Sequence, residues 1–375
     1  MKKIFALFLS LVLIFSVGCG GSSDTPSDVV DYGNVENVKN IILLIGDGMG
    51  QEQIRAGNIE KEGNLTIVGM PNRVLVETKS LDSTITDSAA AGTAMATGVR
   101  TKNGYVGLDA DEEFLTTIVD IAHGQGKSTG IITTEELYGA TPMAFSAHGT
   151  SRADYQGLME SAARSSNVNL FVAAGNIESY SRFTNAGYQA IADVGDISES
   201  DAEKIIGAYP ITATETSMTD YSFDRIVVEV LEYLSKNENG FFLMAEGAHI
   251  DHGGHANDIM YMLRELFAFD SGVKAALEWA KRRNDTVVLV SADHETGGLT
   301  LGDDVNADNM FDTDDDGNYI NISWSSTGHT DTDVYLYLYG MKMDYAAHSS
   351  FKSKDRIKNT DIFAIMNSFF TAATV

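Results

Sequence analysis

The sequence predicts an α/β protein, with a mainly parallel central sheet flanked by helices on both faces. Two observations carry this. Short, continuous apolar runs recur along the chain, and runs of that length suit strands buried on both sides. Helical patterns lie between them, and alternating strands and helices build a parallel sheet covered by helices. Thirty-five glycines supply the tight strand-to-helix turns such a fold needs.

Taken in order, the first strand is Asn40 to Ile45, leading into Gly46-Asp47-Gly48. An alanine-rich run ending at Thr97-Gly98 predicts a helix that starts near Asp87 or Ser88. A second helix is expected over Asp111 to His123, then a strand over Ser128 to Thr133. Further helices are expected over Tyr221 to Lys236 and Asp258 to Arg283. Strands precede Glu246-Gly247 (Phe241 to Ala245) and Ser291-Ala292-Asp293-His294 (Thr286 to Val290). Asn176 to Ala213 carries no legible motif, and Trp279 and Trp324 read as packing residues. Residues 301–326 read as an insertion near the site mouth. Within it, Asp312 to Tyr319 resembles the opening of a calcium loop, but Ser323 stands where the bidentate glutamate belongs, so an acidic surface loop is expected.

Hydrophobic residues make up 43% of 375, enough for a full core. Four prolines and no low-complexity run beyond residue 30 favour one catalytic domain over residues 38–375. Ahead of it, Lys2 and Lys3 precede an apolar stretch, Ile4 to Val17, that is short for a membrane span. Residues 1–18 therefore read as a signal peptide. Ser16-Val17-Gly18-Cys19 resembles the end of a bacterial lipoprotein signal, although Ser16 stands where a leucine-like residue is usual. The expectation is a periplasmic or cell-surface lipoprotein, held to a membrane by lipid on Cys19, with residues 19–37 as a flexible tether. Ordinary secretory cleavage nearby is the alternative. Cys19 is the only cysteine, so no disulfide can form within the chain.

The formal charge is −27, from 53 acidic and 26 basic residues. No Lys/Arg-rich stretch is present, which argues against a nucleic-acid-binding patch.

Ligands of open α/β sheets bind beyond the carboxyl ends of the strands. Asp47, Glu246, Asp293 and His294 all fall at that end of their runs. In Asp251-His252-Gly253-Gly254-His255 the two glycines argue for a loop that folds Asp251 and His255 onto one ion. Zinc takes imidazole and carboxylate ligands, three from the protein at a catalytic site, and His329 is the best third candidate. Asp293-His294 lies in the turn beyond its strand, since neighbours within a strand would point to opposite faces. Asp47 would complete that second set. Ser88 is the nucleophile candidate. Asp87 or Ser88 also reads as a simple helix cap. Both roles are compatible, because a helix N-terminus suits phosphate.

Seven motifs appear in the order found in alkaline phosphatases, a family this chain resembles from about Lys39 to Gly340. They are Gly46-Asp47-Gly48-Met49-Gly50, Thr86-Asp87-Ser88-Ala89-Ala90, Ala140-Thr141-Pro142, His148-Gly149-Thr150-Ser151-Arg152, Glu246-Gly247-Ala248-His249-Ile250-Asp251, Ser291 to Gly298 and Gly328-His329-Thr330. The resemblance implies hydrolysis of phosphate monoesters through a phosphoserine on Ser88, with two Zn2+ and one Mg2+. Asp47, Asp293 and His294 would hold the zinc that activates Ser88. Asp251, His255 and His329 would hold the zinc facing the leaving group. Arg152 would grip two phosphoryl oxygens. Thr141, Glu246 and Asp47 match the third-metal site. His252 falls where some relatives place a residue near the phosphate, and an exposed loop histidine is the alternative. Relatives are commonly dimers, which makes a homodimer the implied assembly.

The pattern breaks at Gly139, where many relatives place Asp or His two residues before the matching threonine. A weaker or differently occupied third site is therefore expected. Two rival readings remain open. A phosphodiesterase or sulfatase of the same superfamily is one, although the sulfatase motif is missing and diesterases usually lack matches to Arg152 and Glu246. The other is a surface lipoprotein that binds metal or phosphate without turnover, for which Ser88 and Arg152 would have no purpose.

Overall fold

A computed structural model of the chain describes residues 37–165, 167–209, 222–340 and 355–371. The expected signal, Cys19 and all but the last residue of the tether lie outside the described residues.

The strands in chain order are β1 (Asn40–Gly46), β2 (Asn72–Glu77), β3 (Ser128–Glu136), β4 (Leu170–Ala174), β5 (Gln189–Ile191), β6 (Ile205–Tyr209) and β7 (Phe241–Gly247). They continue with β8 (Thr286–Ser291), β9 (Glu295–Thr296), β10 (Leu299–Leu301), β11 (Ile322–Trp324), β12 (His329–Thr330), β13 (Val334–Tyr339) and β14 (Arg356–Lys358). Ten of them form one sheet in the order β14-β2-β13-β8-β1-β7-β3-β4-β6-β5. Every pairing is parallel except those of β13, which runs antiparallel to β2 and β8. The expected apolar runs at Asn40, Ser128, Phe241 and Thr286 are its four central parallel strands. In β1, β7 and β8 every residue is buried, as burial on both faces requires.

Helices cover the sheet in two groups. Gln51–Glu60, Phe223–Leu234 and His249–His255 pack on the long helix Ile259–Lys281. Ser88–Thr97 packs with Ile118–Gly124, Ala140–Ala144 and Asn359–Thr371. The fold class read from the sequence is the one observed.

Two local expectations are corrected. The helix expected from Asp111 begins only at Ile118, because Thr117 caps it: its hydroxyl accepts from Asp120 N while Asp120 accepts from Thr117 N. Upstream, the Asp109 carboxylate takes the amides of Asp111 and Glu113 and holds a turn instead.

The segment from Asp251 to His255 is not a loop but part of a short helix, His249–His255. Its glycines serve close packing rather than an unusual backbone. A Cβ at Gly253 would fall 2.6 Å from the Met262 backbone, and one at Gly254 would fall 2.8 Å from Thr296 O.

Between β10 and β11, residues 302–321 form an excursion. Asp314 accepts from the amides of Asp316 and Asn318, which closes the acidic turn on itself. Trp279 is buried in the long helix and donates to Glu232, while Trp324 packs against Gly297 at the base of the excursion.

Candidate active site and metal centre

The carboxyl ends of β1, β3, β7 and β8 lie side by side, so the residues that follow them share one edge. Asp47 follows β1. Glu246 is the second-to-last residue of β7, and the helix carrying Asp251 and His255 comes directly after that strand. Asp293 and His294 sit in the bend between β8 and β9. Because β13 runs backwards, its beginning lies at the same edge, and His329 arrives there just ahead of it on β12. The strand β2 also ends there, and residues 78–87 lead from it to Ser88.

Two three-residue clusters result: Asp251, His255 and His329, and Asp47, Asp293 and His294. In each, one ligand atom per residue lies within 4.8 Å of the others. His255 Nε2 is 3.1 Å from Asp251 Oδ2, and His329 Nε2 is 3.6 Å from Asp251 Oδ1. His294 Nε2 is 3.0 Å from Asp293 Oδ2 and 3.6 Å from Asp47 Oδ1.

The hydrogen bonds set the tautomers. His255 Nδ1 meets Thr327 O at 2.6 Å and His329 Nδ1 meets Thr86 O at 2.9 Å. Carbonyls only accept, so both Nδ1 atoms carry hydrogen. The Thr296 hydroxyl donates to Asp251, so at 3.2 Å it accepts from His294 Nδ1. When neutral, each of the three rings therefore aims an Nε2 lone pair inward, the arrangement metal-ligating histidines adopt.

Electrostatics agree. Burial pushes Asp47 well above the usual carboxylate range, and the charges of Asp293, Asp251, Glu246 and Glu135 push it further. Burial lifts Glu246 to about 7, against the pull of the Thr133 and Thr141 hydroxyls. The hydrogen bond to Asp251 lifts His255 to about 9. Burial opposes charge on Asp251, but the His255 bond and the His294 charge hold it far below its ordinary value. Several buried oxygens lack a hydrogen-bond partner: Asp47 Oδ1, Glu246 Oε1, Thr141 Oγ1 and, despite its approach to His294, Asp293 Oδ2. Buried, unpaired acceptors are costly unless a cation meets them, so these donors fit divalent metals.

Ser88 opens the helix Ser88–Thr97, whose cap is Asp87: the Asp87 carboxylate accepts from Ala90 N at 2.9 Å. Ser88 Oγ, 3% exposed, is 3.2 Å from His294 Nε2 and 3.4 Å from Arg152 Nη1. Arg152 Nη1 also pairs with Asp87 Oδ2 at 3.4 Å, and its backbone amide donates to Gly104 O at 2.8 Å. Thr141 is the second residue of a short helix after β3, its hydroxyl facing Glu246 without closing a hydrogen bond. His252 stands apart. It is exposed on the short helix with its ring 4.7 Å from that of His249, and no hydrogen bond links it to Ser88 or Arg152.

Sequence reasoning missed three contributors. Thr296 links Asp251 to His294, and Asp87 braces Arg152. Glu135 joins the carboxylates near Asp47. Asp87 and Thr296 lay inside motifs read for other residues, and Glu135 stands two residues beyond the predicted strand Ser128 to Thr133.

A family model described as alkaline phosphatase matches residues 38–174 and 206–317. The chain belongs to the alkaline phosphatase family. It is 32% identical to alkaline phosphatase 3 of Bacillus subtilis over 329 residues, 81% of this chain and 71% of that one. It is 29% identical to the Escherichia coli alkaline phosphatase over 381 residues, 80% and 81% of the two chains. The fold matches the alkaline phosphatase of the Antarctic bacterium TAB5 with a TM-score of 0.77 at 26% identity, covering 90% of this chain and 99% of that one. A variant of that TAB5 enzyme, solved with Mg bound in its M3 site, matches with a TM-score of 0.75 at 27% identity, covering 90% and 99%. Membership of this family makes the chain a phosphatase-type hydrolase. Among the described residues no helix is long and apolar enough to cross a membrane.

Proposed function

We propose that the protein hydrolyses phosphate monoesters to an alcohol and inorganic phosphate through a phosphoserine on Ser88. The observation that carries this reading is the placement of Ser88 Oγ, at a helix N-terminus, between His294 Nε2 and Arg152 Nη1.

Asp47, Asp293 and His294 would hold one zinc, and Asp251, His255 and His329 the other. Bound there, zinc supplies Lewis acidity that lowers the pKa of a hydroxyl and stabilises charge on oxygen. Ser88 Oγ forms the bond to phosphorus as the ester P–O bond breaks and the alcohol leaves. Water then attacks the phosphoserine, and phosphate departs with Ser88 restored. Arg152 presents its planar guanidinium to two phosphoryl oxygens, with Asp87 bracing it from behind. The first amides of the helix Ser88–Thr97 point to the same place. Thr141, Glu246 and Asp47 would hold a third cation, Mg2+. His252 contributes at most through water. Export, a lipid on Cys19, residues 38–375 as one catalytic domain and a homodimeric state belong to the same proposal.

The test is trapping of phosphoserine by acid quench in zinc-supplied protein, joined to hydrolysis of an aryl phosphate and of its methyl diester. Ser88→Ala should keep its metal content yet lose at least about 1,000-fold in kcat. Preference for the diester would favour a phosphodiesterase. Absence of both turnover and phosphoserine would favour a binding lipoprotein.

A further inference from the structure

Gly139 leaves a space that another residue fills. A Cβ at position 139 would fall 1.8 Å from Glu135 Oε1 and 2.7 Å from Glu135 Cδ, so the Glu135 carboxylate stands where a side chain at 139 would begin. Glu135 lies near the end of β3. Two residues earlier, Thr133 is in register with Glu246 of β7 and donates to its Oε2. The β3–β4 register slips between Ile132 and Glu136, an irregularity of the kind that re-aims side chains beside a site.

At the same strand ends, and on the helix that follows β3, lie oxygens with nothing to bind. Thr141 Oγ1, Glu246 Oε1 and Asp47 Oδ1 are buried without a hydrogen-bond partner, and Thr141 and Glu246 are 1% and 0% exposed. Buried carboxylate oxygens left unpaired in this way, as on Asp47 and Glu246, need a cation or a proton.

We propose that Glu135 is a ligand of the third divalent-cation site, supplying from the strand the carboxylate that Gly139 cannot. The inference rests on the third-site reading above and replaces the expectation of a weakened site. Asp47, Glu135, Glu246 and Thr141 offer oxygen only, the donor set of a hard cation such as Mg2+ rather than zinc. Glycine at 139 is then a requirement of the arrangement, because any larger residue would evict Glu135.

The experiment is equilibrium dialysis of the zinc-loaded protein against Mg2+, with metal content read by elemental analysis. Circular dichroism and two retained zinc equivalents serve as the folding control. Wild type should bind one Mg2+, and Glu135→Gln should weaken that binding at least about tenfold. The double variant Glu135→Ala/Gly139→Asp should recover it, since the aspartate enters the vacated space. Glu135→Gln binding Mg2+ as wild type does, while Glu246→Gln does not, would overturn the role of Glu135 and leave the third site standing. A wild-type protein that takes up no Mg2+ would overturn both, with phosphoserine trapping still judging the two-zinc reading separately.

Discussion

The imidazole rings of His294 and His329 lie stacked, their centroids 3.5 Å apart and their planes 22° from parallel. Each belongs to a different cluster, so the two candidate metal sets share a wall. Ser88 touches that wall from one side, and Asp251 reaches both histidines from the other, directly and through Thr296. A change in either cluster should be felt in its neighbour.

Zinc loading should release protons. His255 is held up to about 9 by Asp251, and His294 is raised by Asp293 against the effect of burial. His255 therefore carries a proton at pH 7 in metal-free protein, and a metal can use its Nε2 only once that proton leaves. Zinc added at pH 7 in weak buffer should acidify a pH indicator by at least about one proton per chain. Zinc affinity should climb with pH and level off near 9. Loading without proton release at pH 7 would contradict this.

Glu246→Gln should change how metal-free protein responds to pH. Burial lifts the folded carboxyl to about 7, while the unfolded chain titrates at its ordinary value of 4.5. The folded state thus holds the proton more tightly. Stability from this group is complete below about 4.5 and is lost as pH rises through about 7. Melting temperatures in chelator should fall across that window for wild type, and fall less for Glu246→Gln. Added metal should remove most of the difference.

Arg152→Lys should preserve folding and metal content yet lower kcat/KM roughly 10–100-fold. Lysine keeps the charge but has no planar fork, and the lost hydrogen bonds to a charged group account for that range. Inhibition by inorganic phosphate should weaken in parallel, measured as a rise in its inhibition constant.

Gly253→Ala should destabilise the protein by ~1–3 kcal/mol through overpacking, because its methyl would enter the Met262 backbone. The helix displaced is the one that carries Asp251 and His255, so one zinc equivalent should bind more weakly. Denaturant melts with metal titration would read both effects.

The sheet's centre was legible because β1, β7 and β8 are buried along their whole length and read as uninterrupted apolar runs. The edge strands were not. In β5, two of three residues are exposed, and β14 has a single buried residue, so neither leaves a pattern. The two candidate metal clusters were legible because strand ends concentrate polar groups at one edge. The helix from His249 was misread since Gly253 and Gly254 suggest a loop unless one knows that Met262 and Thr296 press against them. Glu135 was passed over for a related reason. Its significance depends on the empty space at Gly139, a tertiary fact that no local pattern reports.

The earliest strand of the sheet occupies its middle. β1 is flanked by β7 and β8, whose paired residues lie about 200 and about 250 positions further along. A ribosome therefore releases the central strand long before its neighbours exist, and that strand must wait, apolar and unpaired, until about two-thirds of the polypeptide has been made, and for its second partner until nearly four-fifths. Such distant pairing slows acquisition of the native state and leaves a sticky segment in need of chaperoning. It also means that truncated chains ending before Asp293 complete neither candidate cluster, since even the shared wall is missing, so a metal bound there would have to enter late in maturation.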